Sequence, residues 1–431
     1  MLSPHTRPAA RLTRPVKEFL ETEVSGGIVL MVAVVVALGW ANSPWQDAYH
    51  SVWETELSVH LGAYEIHHDL RHWVNDALMA LFFFVVGMEI KRELVTGDLS
   101  SVKKATLPGV AALGGMLVPA LIYVTIASPA GRSGWGIPMA TDIALALGVL
   151  ALLSRTIPGS LRVLLLTLAI VDDIGAVLVI ALFYSAGLNW TALGIAALLV
   201  GVILVLRGLR VWWVPAYVLV GTGVWFATLE SGVHATIAGV VLGLLAPAEP
   251  HAPEEDEESP APQEGTTGGG MSVADADANK LRAVATIPVT DRLIHQLHPW
   301  TSFIVLPIFA LANAGVSLGS DDLGRARGSS IAWGIVVGLV VGKIVGISGA
   351  SWLAVRLGAE VPADIGWRHL IGMSALAGIG FTMSLFITEL AFDEASLLEE
   401  AKVGILAASA VAAVIGAVVL KLARPVQSLE P

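Results

Sequence analysis

The 431-residue chain contains no cysteine, and only 14% of its residues are charged. Without cysteine there is no disulfide, no thiolate nucleophile and no sulfur-ligated metal, and the redox state of the compartment leaves no trace. With so little charge beside 55% hydrophobic residues, a soluble domain would not keep its surface wet. The chain belongs in a bilayer. Its formal net charge of −11 is local: residues 249–279 hold nine acids and no Lys or Arg, leaving 27 acids against 25 bases elsewhere. That balance offers nothing to nucleic acid.

Crossing the hydrocarbon as a helix takes about 20 residues. Twelve apolar segments are candidates, near 23–41, 72–90, 105–127, 135–154, 161–184, 190–206, 212–228, 233–247, 299–316, 331–353, 366–388 and 401–423. The seventh and eighth are short enough to form one re-entrant hairpin instead. Arg7, Arg11, Arg14 and Lys17 precede the first run, a pattern shared with cleavable signal peptides, but the many later spans favour an uncleaved helix. Positive charge resists translocation. Alternate connections collect 19 Lys and Arg on one side and five on the other, with Lys343 alone inside a span. Both termini are therefore expected in the cytoplasm of a multi-pass inner-membrane protein.

The expected organisation is a cytoplasmic segment (1–22), spans one to eight (23–247), an acidic cytoplasmic linker (248–280), spans nine to twelve (281–424) and a cytoplasmic tail (425–431). The linker is rich in Pro, Glu and Gly, cannot bury a core and is expected to be disordered. In the external connection, Leu57, Val59 and Leu61 alternate before Gly62, Ala63, Tyr64 and Ile66, which predicts a β-hairpin over 55–66. Its exposed edge suits pairing with a second copy, hence a homodimer; the alternative is a small loop ornament. The histidines His60, His67, His68 and His72 nearby are expected to be scattered and solvent-facing.

A charge near the membrane centre costs at least about 2.5–3.5 kcal/mol and marks an ion or proton path. Asp142, Asp172, Asp173 and Lys343 stand out. Consecutive helical residues point about 100° apart, so Asp172 and Asp173 face different neighbours and divide their roles. Their oxygens are hard ligands suited to an alkali cation, and two carboxylates this close titrate as a coupled pair. Asp142 follows Gly134, Gly136, Pro138 and Thr141, and the eleventh span carries Gly372, Gly378 and Gly380. Such interruptions at corresponding positions of a repeat indicate broken helices lining a midplane site. Spans 3–5 and 10–12 start from opposite sides, which is an inverted repeat by topology. Asp142 then suits the positive helix ends and Lys343 the negative ones; direct pairing of Lys343 with Asp172 or Asp173 is equally compatible. Gly338, Gly342 and Gly346 give its helix a flat stripe for close approach.

The stretches WVNDALMALFFFVVGMEIKREL (73–94), GWGIPMATDIALALGVLALL (134–153), LAIVDDIGAVLVIALFY (168–184), SGVHATIAGV (231–240), HPW (298–300), FALANAGVSL (309–318), GLVVGKIVGIS (338–348) and GIGFTMSLFI (378–387) resemble the NhaA-type bacterial sodium/proton antiporters. The resemblance implies an all-α protein of twelve helices, the fourth and eleventh unwound where they cross, assembled as a dimer in lipid. It also implies electrogenic export of sodium or lithium against external protons, serving pH and sodium homeostasis, with no cofactor and no enzymatic activity. By matched motif, Asp173 is similar to the principal cation-binding carboxylate and Asp172 to its partner; Thr141, Asp142 and Lys343 fall at the helix crossing. Glu89, Arg92, Glu93 and His234 fall where the family places pH response, at or near the cytoplasmic funnel. One departure is Ile294 before His295, where the family pattern has a glutamate. Two other classes remain to be weighed: a sodium-coupled solute symporter, which needs a larger cavity, and an intramembrane aspartyl protease, which leaves Lys343 without a role.

Overall fold

A computed structural model of the chain describes residues 14–61, 64–153, 157–185, 187–211, 213–247 and 289–423. The 248–280 linker, residues 1–13 and the 425–431 tail lie outside the described residues. Helix α1 (Arg14–Ala41) begins the bundle. Its Leu30, Ala33 and Ala37 are buried while Ile28, Val32, Val35 and Val36 are exposed. Both faces are apolar, and the inward one is mostly small, the arrangement that lets helices approach in lipid. A turn then bends the chain by 116° into α2 (Gln46–Trp53). The Tyr49 hydroxyl lies 2.8 Å from the Leu311 carbonyl, fixing α2 to a later helix.

Strands β1 (Glu56–Leu61) and β2 (Tyr64–Asp69) pair antiparallel, from Glu56 opposite Asp69 to Leu61 opposite Tyr64. The ladder runs to Asp69, three residues past the limit expected from the alternation, and the two turn residues lie outside the described ones. Asp69 then caps the next helix by accepting from the His72 amide at 2.7 Å.

That helix, α3 (Leu70–Val95), contains a π turn at Val74–Leu78. There follow α4 (Val102–Ile126), a 3-10 arm (Pro129–Met139), α5 (Ile143–Leu152), α6 (Gly159–Phe183), α7 (Trp190–Gly208), α8 (Val214–Leu229) and α9 (Ala235–Leu245). After the linker come α10 (residues 289–313, π turn at Thr301–Val305), α11 (Ser320–Gly328) and α12 (Ser330–Arg356, π turn at Gly338–Gly342). The last are α13 (Trp367–Leu376), α14 (Phe381–Ala391) and α15 (Ala395–Leu422). Among the described residues, six helices are long and apolar enough to cross a membrane, or up to nine if each bent pair is one span. The protein is a mostly helical integral membrane protein.

Two of the bent pairs meet at the centre. The 3-10 arm and α5 form a 52° bend, and α13 and α14 a 46° bend. Gly and Pro in the first, and Gly378 and Gly380 in the second, let the chain leave the helix there. The unwound stretches hydrogen-bond each other, the Asp142 amide donating to the Ile379 carbonyl at 2.6 Å, and α14 bonds to the arm through Ser384 Oγ, which donates to the Ile137 carbonyl at 2.8 Å. Helix α12 lies against α4 and the arm. A Cβ at Gly342 would sit 2.8 Å from Pro119 Cα, and one at Gly338 would sit 2.8 Å from Pro138 Cβ. Hydrogen at those positions is what lets Lys343, one residue later, reach the crossing.

Candidate functional site

The crossing leaves four helix-end dipoles in a buried interior, and the side chains nearest them answer both signs. Asp142 is the N-cap of α5; its Oδ1 accepts from the Leu145 amide at 2.9 Å. Its Oδ2 accepts from the amide of Thr382 at 3.0 Å and from the Thr382 hydroxyl at 2.6 Å. One carboxylate thus serves the N-termini of both α5 and α14. Lys343 answers the other sign. Its Nζ donates to the Met139 carbonyl at the end of the 3-10 arm, and lies 3.0 Å from Thr141 Oγ1.

Lys343 also meets Asp172 Oδ2 at 2.5 Å, both side chains fully shielded from solvent. The two roles left open by the sequence are therefore held together, and the aspartate that faces Lys343 is Asp172. Thr141 Oγ1 lies 2.6 Å from the same Asp172 oxygen and 2.9 Å from the Ala377 carbonyl. Its single proton favours the shorter, charge-assisted bond. Asp172 Oδ2 is thus held from two sides, by Thr141 of the unwound stretch and by Lys343 of α12, while its Oδ1 is buried without a hydrogen-bond partner.

Asp173 faces elsewhere, as one step of about 100° along α6 requires. It lines a cavity of roughly 540 Å³, open mouth included, together with Thr141, Asp142, Ser302, Thr382 and, toward the mouth, Glu89 and His298. Asp172 is not among the lining residues. Asp173 Oδ1 is buried and accepts no hydrogen bond from the protein. A buried carboxylate oxygen with open coordination, flanked by hydroxyls and a second carboxylate, is a hard-ligand set of the kind an alkali cation takes.

Of the residues assigned to pH response, Glu89 lines the cavity, 3.9 Å from His298 Nε2, with Arg92 and Glu93 following on the last turn of α3. His234 is not with them. It precedes α9, its Nε2 lies 2.7 Å from the Tyr184 carbonyl at the end of α6, and α9 runs beside α3 in the same sense, Gly239 against Ala80. Glu89 is nine residues past Ala80 and His234 five before Gly239, an axial separation of about 20 Å by helical rise. Placing His234 in one cluster with the other three is corrected on that ground. Ile294 is buried with Val85, Met88 and Ala246, so aliphatic packing replaces the acid expected there.

Two participants were missed. Thr382 is a small polar residue in an apolar run, with nothing to mark it until its partner Asp142 is placed. His298 stands in the HPW stretch, which was legible as a motif but carried no role. Among the described residues no three His, Asp or Glu side chains converge on a metal position.

The family model described as Na+/H+ antiporter 1 matches residues 17–420. A protein named Na(+)/H(+) antiporter NhaA from Mesorhizobium japonicum is 49% identical over 417 residues, covering 95% of this chain and 96% of its own length. One of the same name from Acidovorax is 48% identical over 412 residues, 95% of this chain and 92% of that one. Na(+)/H(+) antiporter NhaA 3 from Frankia alni is 46% identical over 430 residues, 97% and 92%.

Proposed function

This chain belongs to the Na+/H+ antiporter 1 family, and from that premise we propose that it exports sodium or lithium electrogenically in exchange for external protons, by alternating access to a single site. Its relatives are transporters, not enzymes, so the chemistry to account for is ion exchange. Asp173 is the principal cation ligand and Asp172 its coupled partner. The observation that carries this reading is the unpartnered, buried Asp173 oxygen in the cavity, next to an Asp172 already neutralised by Lys343.

The division sets the order of events. Lys343 answers only one of two neighbouring carboxylates in a buried site, and without a further cation both do not stay ionised. With the cavity lacking sodium, the pair holds protons; sodium entering beside Asp173 displaces them. If Asp172 takes a proton, Lys343 loses its counter-charge and falls back on the Met139 carbonyl and Thr141, and that loss links protonation to the arrangement of the crossing. Thr141, Asp142 and Lys343 keep the crossing neutral overall. The surrounding scaffold is read as twelve spans, with spans 3–5 and 10–12 inverted, residues 248–280 a cytoplasmic linker, and both termini cytoplasmic. The β1–β2 hairpin serves a homodimer. Glu89 in the cavity wall and Arg92 and Glu93 on the turn of α3 beyond it govern access with pH, and His234 acts from the other end of the bundle. The physiological role is sodium and pH homeostasis.

The test is proton movement in everted vesicles from cells producing the chain, on adding sodium, lithium or potassium. Sodium and lithium are expected to release accumulated protons and potassium is not. Sodium uptake that needs an added organic solute would replace the reading with symport.

A further inference from the structure

The cavity lined by Asp173 stops short of the far side of the bundle, and three helices carry the same order of side chains as they leave it. Along α14, Thr382 lines the cavity, Phe386 follows one turn on, and Glu389 comes next. Along α10, Ser302 and Leu306 line it, then comes Phe309, then Asn313. Along α3, read toward its start, Val86 and Phe82 line it, Phe83 packs beside Phe82, and Asn75 lies two turns further. The Phe386 ring stands 5.3 Å from that of Phe83 and 6.3 Å from that of Phe309, centroid to centroid. None of the three is more than 1% exposed. An aromatic seal therefore lies about 6 Å of helix rise beyond Thr382.

What lies behind the seal is polar. Asn313 Nδ2 is 2.8 Å from Asn75 Oδ1 and 3.1 Å from the Phe309 carbonyl. Asn313 Oδ1 is buried and has no hydrogen-bond partner. Glu389 and Lys402 of α15 pair at 2.5 Å, each largely shielded. Packing α14 on α15 needs no such pair, since an aliphatic contact there would be as stable or more so. Polar and charged groups grouped inside a membrane bundle mark a route.

Resting on the exchange reading above, we propose that Phe83, Phe309 and Phe386 form the gate closing the cavity on the side away from Glu89 and His298. Asn75, Asn313, Glu389 and Lys402 line the vestibule by which ions reach the site when that gate opens. Phe386 is the central ring, because it pairs with both of the others. The gate is tied to the site through α14. Thr382, one turn before Phe386, is bonded to Asp142 Oδ2. A shift of α14 that relaxes those bonds carries Phe386 with it.

The chain has no cysteine, so single thiols report cleanly. Ser302→Cys places one in the cavity and Asn75→Cys one behind the seal, each in the full-length protein in vesicles of either orientation, treated with a membrane-impermeant thiol reagent. The two are expected to react from opposite faces. Adding Phe386→Ala to Ser302→Cys is expected to raise labelling from the second face more than about tenfold, because labelling follows the open population; Phe386→Leu is expected to keep it low. If Phe386→Ala does not reach the membrane, Phe309→Ala, which removes one of the two ring contacts, reads the same effect. One-sided labelling that survives either truncation, or labelling of both thiols from the same face, overturns the gate. Labelling needs no ion gradient, so a chain that failed to exchange sodium would still report on it.

Discussion

Lys343 Nζ stands 2.5 Å from Asp172 Oδ2 with neither side chain reaching solvent, while Asp173, the next residue along α6, faces the cavity. That arrangement separates the carboxylate answered by a lysine from the one open to the cavity. It also makes the two aspartates distinguishable by experiment.

Lys343→Ala removes one member of a buried pair and leaves Asp172 without its counter-charge. The expected loss is about 3–5 kcal/mol of stability, read as a lower unfolding midpoint in detergent. Adding Asp172→Asn to Lys343→Ala is expected to restore part of that loss. If Lys343→Ala unfolds like the parent chain, the pair is not what holds the crossing.

At the crossing, Asp142→Ala strips the cap from α5 and both bonds from Thr382. Thr382→Val removes only the hydroxyl bond. Loss of a cap costs about 0.5–2 kcal/mol and a buried partner left unmatched about 1–3 kcal/mol. Denaturation should therefore rank Asp142→Ala well below Thr382→Val. The opposite ranking would contradict a carboxylate shared by two helix ends.

Helix α12 provides its own control. A Cβ at Gly342 would sit 2.8 Å from Pro119 Cα, whereas one at Gly349 meets nothing within 4 Å. Gly342→Ala is expected to cost about 1–3 kcal/mol through forced backbone shifts and to weaken exchange by moving Lys343. Gly349→Ala is expected to be neutral or to gain up to about 1 kcal/mol from helix propensity. Thermal midpoints and vesicle assays of the two variants, side by side, check both halves.

Outside the bilayer, Asp322 at the start of α11 accepts from the Ser317 hydroxyl and pairs with Arg325. These contacts, the hydroxyl first, hold its carboxyl below the usual range. A depressed folded-state pKa adds stability above the unfolded value, and that stability is lost as pH falls through the folded one. Asp322→Asn should therefore be slightly less stable than the parent at pH 7. The difference should close as the pH drops below the ordinary carboxylate range, in unfolding midpoints taken across that range.

The part of this site legible in the sequence is the part that local geometry dictates. The different facings of Asp172 and Asp173 follow from helical rotation, and the breaks beside Asp142 and at Gly378 and Gly380 follow from glycine and proline. What depended on how helices register against each other was not legible. No local pattern says that Lys343 reaches Asp172 instead of Asp173, because the answer lies in how far α12 slides along the arm. Thr382 and His298 acquire meaning only from partners more than 200 positions away. His234 was grouped with Glu89 by motif alone, and the parallel run of α9 beside α3 separates them.

The central claim is that Asp173 carries the exchanged cation while Asp172 answers Lys343. Proton release on adding sodium to everted vesicles holding Asp173→Asn measures it most directly, with protein in the membrane quantified alongside. The expected result is a variant present at the parent's level that moves no protons at any sodium concentration. Exchange at the parent's rate by Asp173→Asn would contradict the account.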